Sequence, residues 1–385
     1  MAPSRTRSTP ARRTAGILAL CAPIAWLGGC ASTIPAECDR RPAAARADFG
    51  AHDPLPRSRL GCLPFPGVFT LFKAADPDDL GEHSYAGSGG ETDRGIVYTT
   101  RGGFLDIAHI RNSVDTTAYI HARVAHAMRA GWDCVRFRLH EPSVYTVTLE
   151  YPASWDELST GERWRAREEA AVALSQRLAL EAMTWHEILT WYGYKSTVVI
   201  SEAGSAFTYE DGPSHAVGVL IAGEAIRRGG DFDAEVTALL DQTLAELGVV
   251  GGEELEAAIA AVDGDWWSGG STKRRHLETG LERGAITPWV VDAVPFADPA
   301  GPVTWQLPTL ENVMGHDCTA LATVAIDPNV FESGKIRSRL RPGVGDVDPG
   351  RDFPLLMADI RRSIGAEFAR IERGEHSIEA ASRAP

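Results

Sequence analysis

Ser159-Thr160-Gly161-Glu162 opens the stretch that decides the fold, and Gly193 closes it. A Ser followed three residues later by Glu is a capping box, in which each side chain satisfies a backbone N–H that the first helical turn leaves without a partner. Behind it Ala171, Leu174, Leu178, Ala182, Trp185, Leu189 and Tyr192 recur every three or four positions, the period of one buried helix face. The stretch therefore predicts the longest helix of the chain, stopped at Gly193. Upstream, Ile107, Ile110, Val114, Ala118, Ala122, Ala125 and Met128 keep the same period as far as Gly131, a second long helix beginning just after Gly102-Gly103. Between the two, residues 135–139 and 144–151 alternate around Glu141-Pro142-Ser143 as a β-hairpin would.

Further out, residues 67–73 and 197–201 read as strands and residues 214–228, 233–247 and 253–262 as helices. A polar, Gly-rich excursion covers 263–283. Strands are expected near 289–294 and 321–326, and a terminal helix from Phe353 to Arg373. No period of 20 to 50 residues repeats, so solenoids and propellers are excluded. The reading is an α+β, helix-rich single globular domain over 61–373, built on a long central helix pair and a small sheet, with a frayed tail over 374–385.

The N-terminus carries a different message. Arg5, Arg7, Arg12 and Arg13 precede an apolar run from Ala15 to Leu27 and then Leu27-Gly28-Gly29-Cys30. A basic region, a short apolar run and small residues before a cut site make a secretory signal; the run is too short to span a bilayer, which takes roughly 20 residues. The Cys after Leu-Gly-Gly resembles the lipobox of bacterial lipoproteins. That implies a signal peptide over 1–29, a lipid on Cys30 and a flexible tether over 30–60. Ala31 in place of Asp leans toward the outer membrane, with the domain facing the periplasm. The 385-residue chain has 38 basic and 52 acidic residues; the signal removes four Arg and no acid, so the remainder is 34 against 52, net −18. Nucleic acid is excluded as a partner, since phosphate binding needs clustered positive charge. Membrane attachment would come from acyl chains. Cys38, Cys62, Cys134 and Cys318 remain in an oxidising compartment, so up to two disulfides are expected. Of the three pairings we favour Cys38–Cys62, leaving Cys134–Cys318.

Three segments place polar residues on otherwise apolar elements. In the first, Asp106 and His109 share a helix face at a spacing suited to a metal or to an Asp-oriented base; the blander alternative is helix-start chemistry. In the second, His186-Glu187 matches the front half of H-E-x-x-H, but Thr190 stands where the second His belongs. In the third, Glu202 follows His186 by sixteen residues, the offset of the last ligand in the zinc pattern of the mitochondrial ubiquinone-biosynthesis protein, although two of that pattern's four side chains differ here. Ser205 and Asp211 read as turn and cap residues. No G-x-S-x-G, Walker loop or placed G-x-G-x-x-G occurs, which removes hydrolase-elbow, NTPase and Rossmann readings.

Together the runs Arg101-Gly102-Gly103-Phe104-x-Asp106-Ile107-Ala108-His109-x-Arg111, Thr184-Trp185-His186-Glu187-Ile188-x-Thr190-Trp191-Tyr192 and Ser205-Ala206-Phe207-x-Tyr209-Glu210-Asp211 resemble an uncharacterised family of bacterial lipoproteins, domain of unknown function 4056. The resemblance covers residues 61–373 and implies a lipoprotein whose three motifs form one site; it implies no reaction. His215 stands outside it, because the family's continuation there is more Ser/Asn-like. The leading expectation is an envelope lipoprotein with a metal-binding cleft where the two main helices cross. His109, His186, Asp106 and Glu202 are the expected ligands, and Glu187 is the general base of a hydrolytic reaction on an envelope substrate. Zinc suits such ligands, with manganese or iron open. The alternative is a non-catalytic lipoprotein that binds a partner or scaffolds the envelope, with the same polar groups as a buried hydrogen-bond network.

Overall fold

The computed structural model describes residues 38, 49–62, 72–87, 90–91, 94–195, 204–268 and 271–372. Cys30, Glu202 and the expected strand at 197–201 lie outside them, as do most of the strand expected at 67–73 and the tail. The chain enters through the antiparallel pair β1 (Ile96–Thr99) and β2 (Gly103–Asp106), and Asp106 then caps α1 (Ile107–Ala130). Gly131, in the left-handed region at φ 66°, ends that helix. The expected hairpin follows as β3 (Cys134–Arg138) and β4 (Val144–Leu149), in the register Val135↔Val147 and Phe137↔Tyr145.

Helix α2 (Thr160–Trp191) opens on Ser159, whose hydroxyl and Glu162 form both halves of the capping box. Next come α3 (Asp211–Arg228), α4 (Phe232–Glu246), β5 (Val249–Val250) and α5 (Gly252–Val262). The remainder holds the short strands β6 (Trp267–Ser268), β7 (Ser271–Thr272), β8 (Ala285–Ile286) and β9 (Trp305–Gln306), then β10 (Ala322–Asp327), α6 (Ser333–Arg337) and α7 (Pro349–Glu372). Two three-stranded antiparallel sheets result, β2-β1-β5 and β10-β4-β3. The class is α+β and helix-rich. No helix among the described residues is long and apolar enough to cross a membrane.

The centre is three helices, not two: α1, α2 and α3 pack pairwise. Close approach of α3 to α1 depends on Gly218, where a Cβ would lie 2.6 Å from the Ser113 Cβ and would overlap the Ile110 carbonyl oxygen. Trp185 on α2 is fully buried, stacks on Phe353 of α7 at 5.9 Å and donates its indole N–H to Ser143 Oγ at 2.9 Å.

Three expectations are corrected. Residues 289–294 form no strand; the ladder in that region is Ala285–Ile286 against Trp305–Gln306, and Val291 N–H donates to the Tyr98 hydroxyl instead. Pro288 precedes the apolar run, and a short apolar run does not by itself distinguish strand from buried loop. Residues 49–60, expected within the tether, are packed along α1: Phe49 meets His126, and Arg59 is buried with its backbone bonded to Asn112. The disulfide joins Cys38 to Cys134, with Cα atoms 5.7 Å apart, and leaves Cys62 and Cys318 as buried thiols. The reason lies in the path of that segment. It runs from the C-terminal end of α1, near Phe49, to the N-terminal end, where Cys62 N–H donates to Asp106. A helix of this length extends about 36 Å, so Cys38 and Cys62 sit at opposite ends of α1.

Candidate metal centre

Three helix segments converge on one cavity of about 480 Å³. From α1 comes His109, one turn beyond the cap. From α2 come Met183, His186, Glu187 and Thr190, the spacing of one helix face. From the start of α3 come Glu210, Asp211 and, one turn on, His215. The turn leading into α3 is held in strain: Phe207 has φ 57°, a region costly for a residue with a side chain, and its N–H donates to Glu187 Oε2 at 2.9 Å.

His109, Glu210 and Asp211 bring one ligand atom each within 4.8 Å of one another. His109 Nδ1 lies 3.2 Å from Asp211 Oδ1. The other oxygen of Asp211 accepts from Thr208 N–H at 2.7 Å, and Glu210 Oε1 accepts from Thr208 Oγ1 at 2.8 Å. Two buried atoms are left without a hydrogen-bond partner among the described residues: Glu210 Oε2 and His215 Nε2. The His215 ring sits 5.1 Å from that of His109, anchored by Ser113 Oγ at 3.0 Å from its Nδ1, and its Nε2 lies 4.0 Å from Glu187 Oε1.

The electrostatics follow from burial of three carboxyls beside two imidazoles. Burial pulls the His109 imidazole down, but the charge of Asp106 and the bond to Asp211 outweigh it and hold the ring's pKa up at about 10. Burial works against ionisation of Asp211, yet His109 keeps its carboxyl below the usual range. Burial, then the neighbouring Asp211 charge, push Glu187 and Glu210 well above it. Burial and the positive His109 drive His215 down to about 3. Without a cation the cluster therefore holds a proton on His109 at neutral pH, and burial favours the protonated forms of Glu187 and Glu210. This is the state expected of ligands that exchange protons for a metal.

The expected ligand set is only partly assembled. His109 stands in the donor group. His186 lines the cavity and faces Tyr194 edge-on at 6.1 Å, outside that group. Asp106 does not line the cavity: Oδ1 caps α1 by accepting from Ala108 N–H at 2.7 Å, and Oδ2 accepts from Cys62 N–H at 2.5 Å. Glu202 lies outside the described residues. Sequence reasoning assigned Asp211 to capping and gave Glu210 no role. The signal was present: an acidic pair opening an apolar helix, with His215 four residues after Asp211 on the same face.

The family described as Protein of unknown function (DUF4056) matches residues 49–275. The match begins earlier and ends sooner than the expected 61–373, and every cavity residue named above falls inside it. No curated protein and no solved structure matches the chain. With more than half of its length matched, the chain belongs to the DUF4056 family, whose function is unknown.

Proposed function

We propose that the chain is a metal-dependent hydrolase of the cell envelope, anchored by lipid on Cys30. A single observation carries the metal reading: one imidazole and two carboxyls within 4.8 Å, with Glu210 Oε2 buried and without a hydrogen-bond partner among the described residues. An unpaired buried polar atom costs about 1–3 kcal/mol, and a divalent cation would satisfy it. A nitrogen with two carboxylate oxygens suits zinc, manganese or iron. His109 and the two carboxylates would hold the ion, whose Lewis acidity would polarise the scissile bond.

Glu187 is placed for the base. It reaches the cavity, is fixed by the Phe207 N–H, and lies beside the donor group. With a cation bound beside it Glu187 would ionise; it would then take a proton from the attacking water as the new bond to oxygen forms, and return it to the leaving group as the old bond breaks. His215, neutral, faces that carboxyl at 4.0 Å. The envelope address rests on the N-terminal pattern up to Cys30 and is supported by the Cys38–Cys134 bridge, since structural disulfides persist in oxidising compartments.

The test is to load the full chain with zinc, manganese or cobalt. Hydrolysis of p-nitrophenyl acetate and bis(p-nitrophenyl) phosphate is then measured. Wild type should bind metal and turn over at least one probe only when loaded. Glu187→Gln should keep its metal and lose about 100-fold or more in turnover. A wild-type chain that binds none of the three ions overturns the reading. For the address, Cys30→Ser should move the protein from the membrane fraction to the soluble one; retention in the membrane would refute lipid anchoring.

A further inference from the structure

We propose that Gly61 is a positioning residue for the metal centre, seating the His109 ring so that Nδ1, and not Nε2, faces Glu210 and Asp211. The inference rests on the metal reading above and assigns a role to a segment outside the three helices. Residues 56–62 form a strap that lines the cavity from Pro56 to Cys62. The strap is held along its whole length. Asn112 grips the Arg59 backbone twice: Arg59 N–H donates to Oδ1 at 2.9 Å, and Nδ2 donates to the Arg59 carbonyl at 2.7 Å. The Arg59 guanidinium is buried against Glu91 at 2.9 Å and Asp115 at 2.6 Å. Cys62 N–H ends the strap on Asp106 Oδ2 at 2.5 Å.

Between those anchors Gly61 lies against the far edge of His109. A Cβ on Gly61 would overlap His109 Nε2 and stand 3.0 Å from Cε1 and 3.2 Å from Asp106 Oδ2. On the other side of Cε1, Nδ1 is 3.2 Å from Asp211 Oδ1. The ring is thus confined between strap and α3, and the nitrogen it offers is fixed by that confinement. Gly61 is not among the glycines with positive φ. Its requirement is for space: Ala is admissible to the backbone, and its Cβ would press first on the imidazole and then on Asp106 Oδ2.

The experiment uses the full chain and Co²⁺ as the probe, titrated while its visible d–d bands are recorded. Gly61→Ala should bind Co²⁺ about 10- to 100-fold more weakly, the range typical when a ligand loses its orienting partner, with altered bands and a metal-free melting temperature close to wild type. In the His109→Ala background the same change should have no further effect, because it acts through that ring. Wild-type affinity and bands in Gly61→Ala overturn the positioning role. If that variant does not fold, Asn112→Ala, which frees the Arg59 backbone, carries the test: weaker binding supports the proposal and unchanged binding and spectrum refute it. Failure of the wild type to bind Co²⁺, zinc or manganese is a separate result, which removes the metal reading itself.

Discussion

Two buried polar clusters flank α1, and they resolve their charges in opposite ways. In one, Glu91 and Asp115 meet Arg59 at 2.9 and 2.6 Å, His83 reaches Asp115 at 2.9 Å, and Arg111 pairs with Glu91 while donating to the Leu80 and Gly81 carbonyls. Every carboxylate there faces a guanidinium. In the other, the ion-pair partners of Asp211 and Glu187 among the described residues are imidazoles, and Glu210 Oε2 meets nothing. The first cluster matches its carboxylates with guanidiniums and fixes the strap to the helix, although His83 Nδ1 and Arg111 Nε have no hydrogen-bond partner among the described residues. The second, on the metal reading proposed above, is completed by a cation from outside. Burial of charge is therefore not in itself a sign of a site; carboxyls without a guanidinium or ammonium to match them are.

The sharpest way to break this contrast is to compare Asp115→Ala with His109→Ala. Asp115→Ala removes one of the two carboxylates that pair with buried Arg59 and the hydrogen-bond partner of His83 Nε2, and should cost about 3–5 kcal/mol of folding stability, read by denaturant unfolding. His109→Ala should cost much less stability but lower metal affinity by about 100-fold or more. Equal stability losses without a change in metal binding would make the two clusters the same kind of object.

A carboxyl further along the cavity extends the test to pH. Burial lifts the Glu141 carboxyl to about 7 from its ordinary 4.5, in spite of the Tyr145 hydroxyl that donates to it at 2.5 Å. The folded state keeps a proton that the unfolded chain has already lost. Stability should therefore be full below about pH 4.5 and decline by roughly 3 kcal/mol as pH rises to 7. Glu141→Gln should flatten that decline in unfolding curves taken from pH 4 to 8.

Metal affinity should move the other way. Because His109 holds its proton up to about 10, the metal must displace it, and apparent affinity should rise about tenfold per pH unit for each proton released. Calorimetry between pH 6 and 8 in buffers of different ionisation enthalpy counts those protons. An affinity independent of pH would contradict the assignment of His109 as a ligand. The smallest effect is expected far from both clusters, at the α2 cap: Ser159→Ala should lower stability by about 1 kcal/mol and leave metal binding unchanged.

What the sequence made legible was local. The capping box at Ser159, the periodic face of α2 and the hairpin around Glu141-Pro142-Ser143 depend on neighbours in the chain, and each formed where the pattern placed it. What it hid was long-range. His215 and its anchor Ser113 are 102 positions apart, and the disulfide closes over 96; no periodicity encodes such meetings. Asp106 and Asp211 show the ambiguity most directly. Both are acidic residues at a helix start, equally suited to capping or to ligation. The structure spends both Asp106 oxygens on backbone N–H groups and leaves one Asp211 oxygen facing His109.

The central claim is that His109, Glu210 and Asp211 wait for a cation, and elemental analysis tests it most directly. The full chain is loaded with zinc, freed of excess metal and compared with His109→Ala. About one zinc per chain in the wild type and almost none in the variant is the expected result. A wild-type chain that retains no zinc, manganese or cobalt would contradict the account.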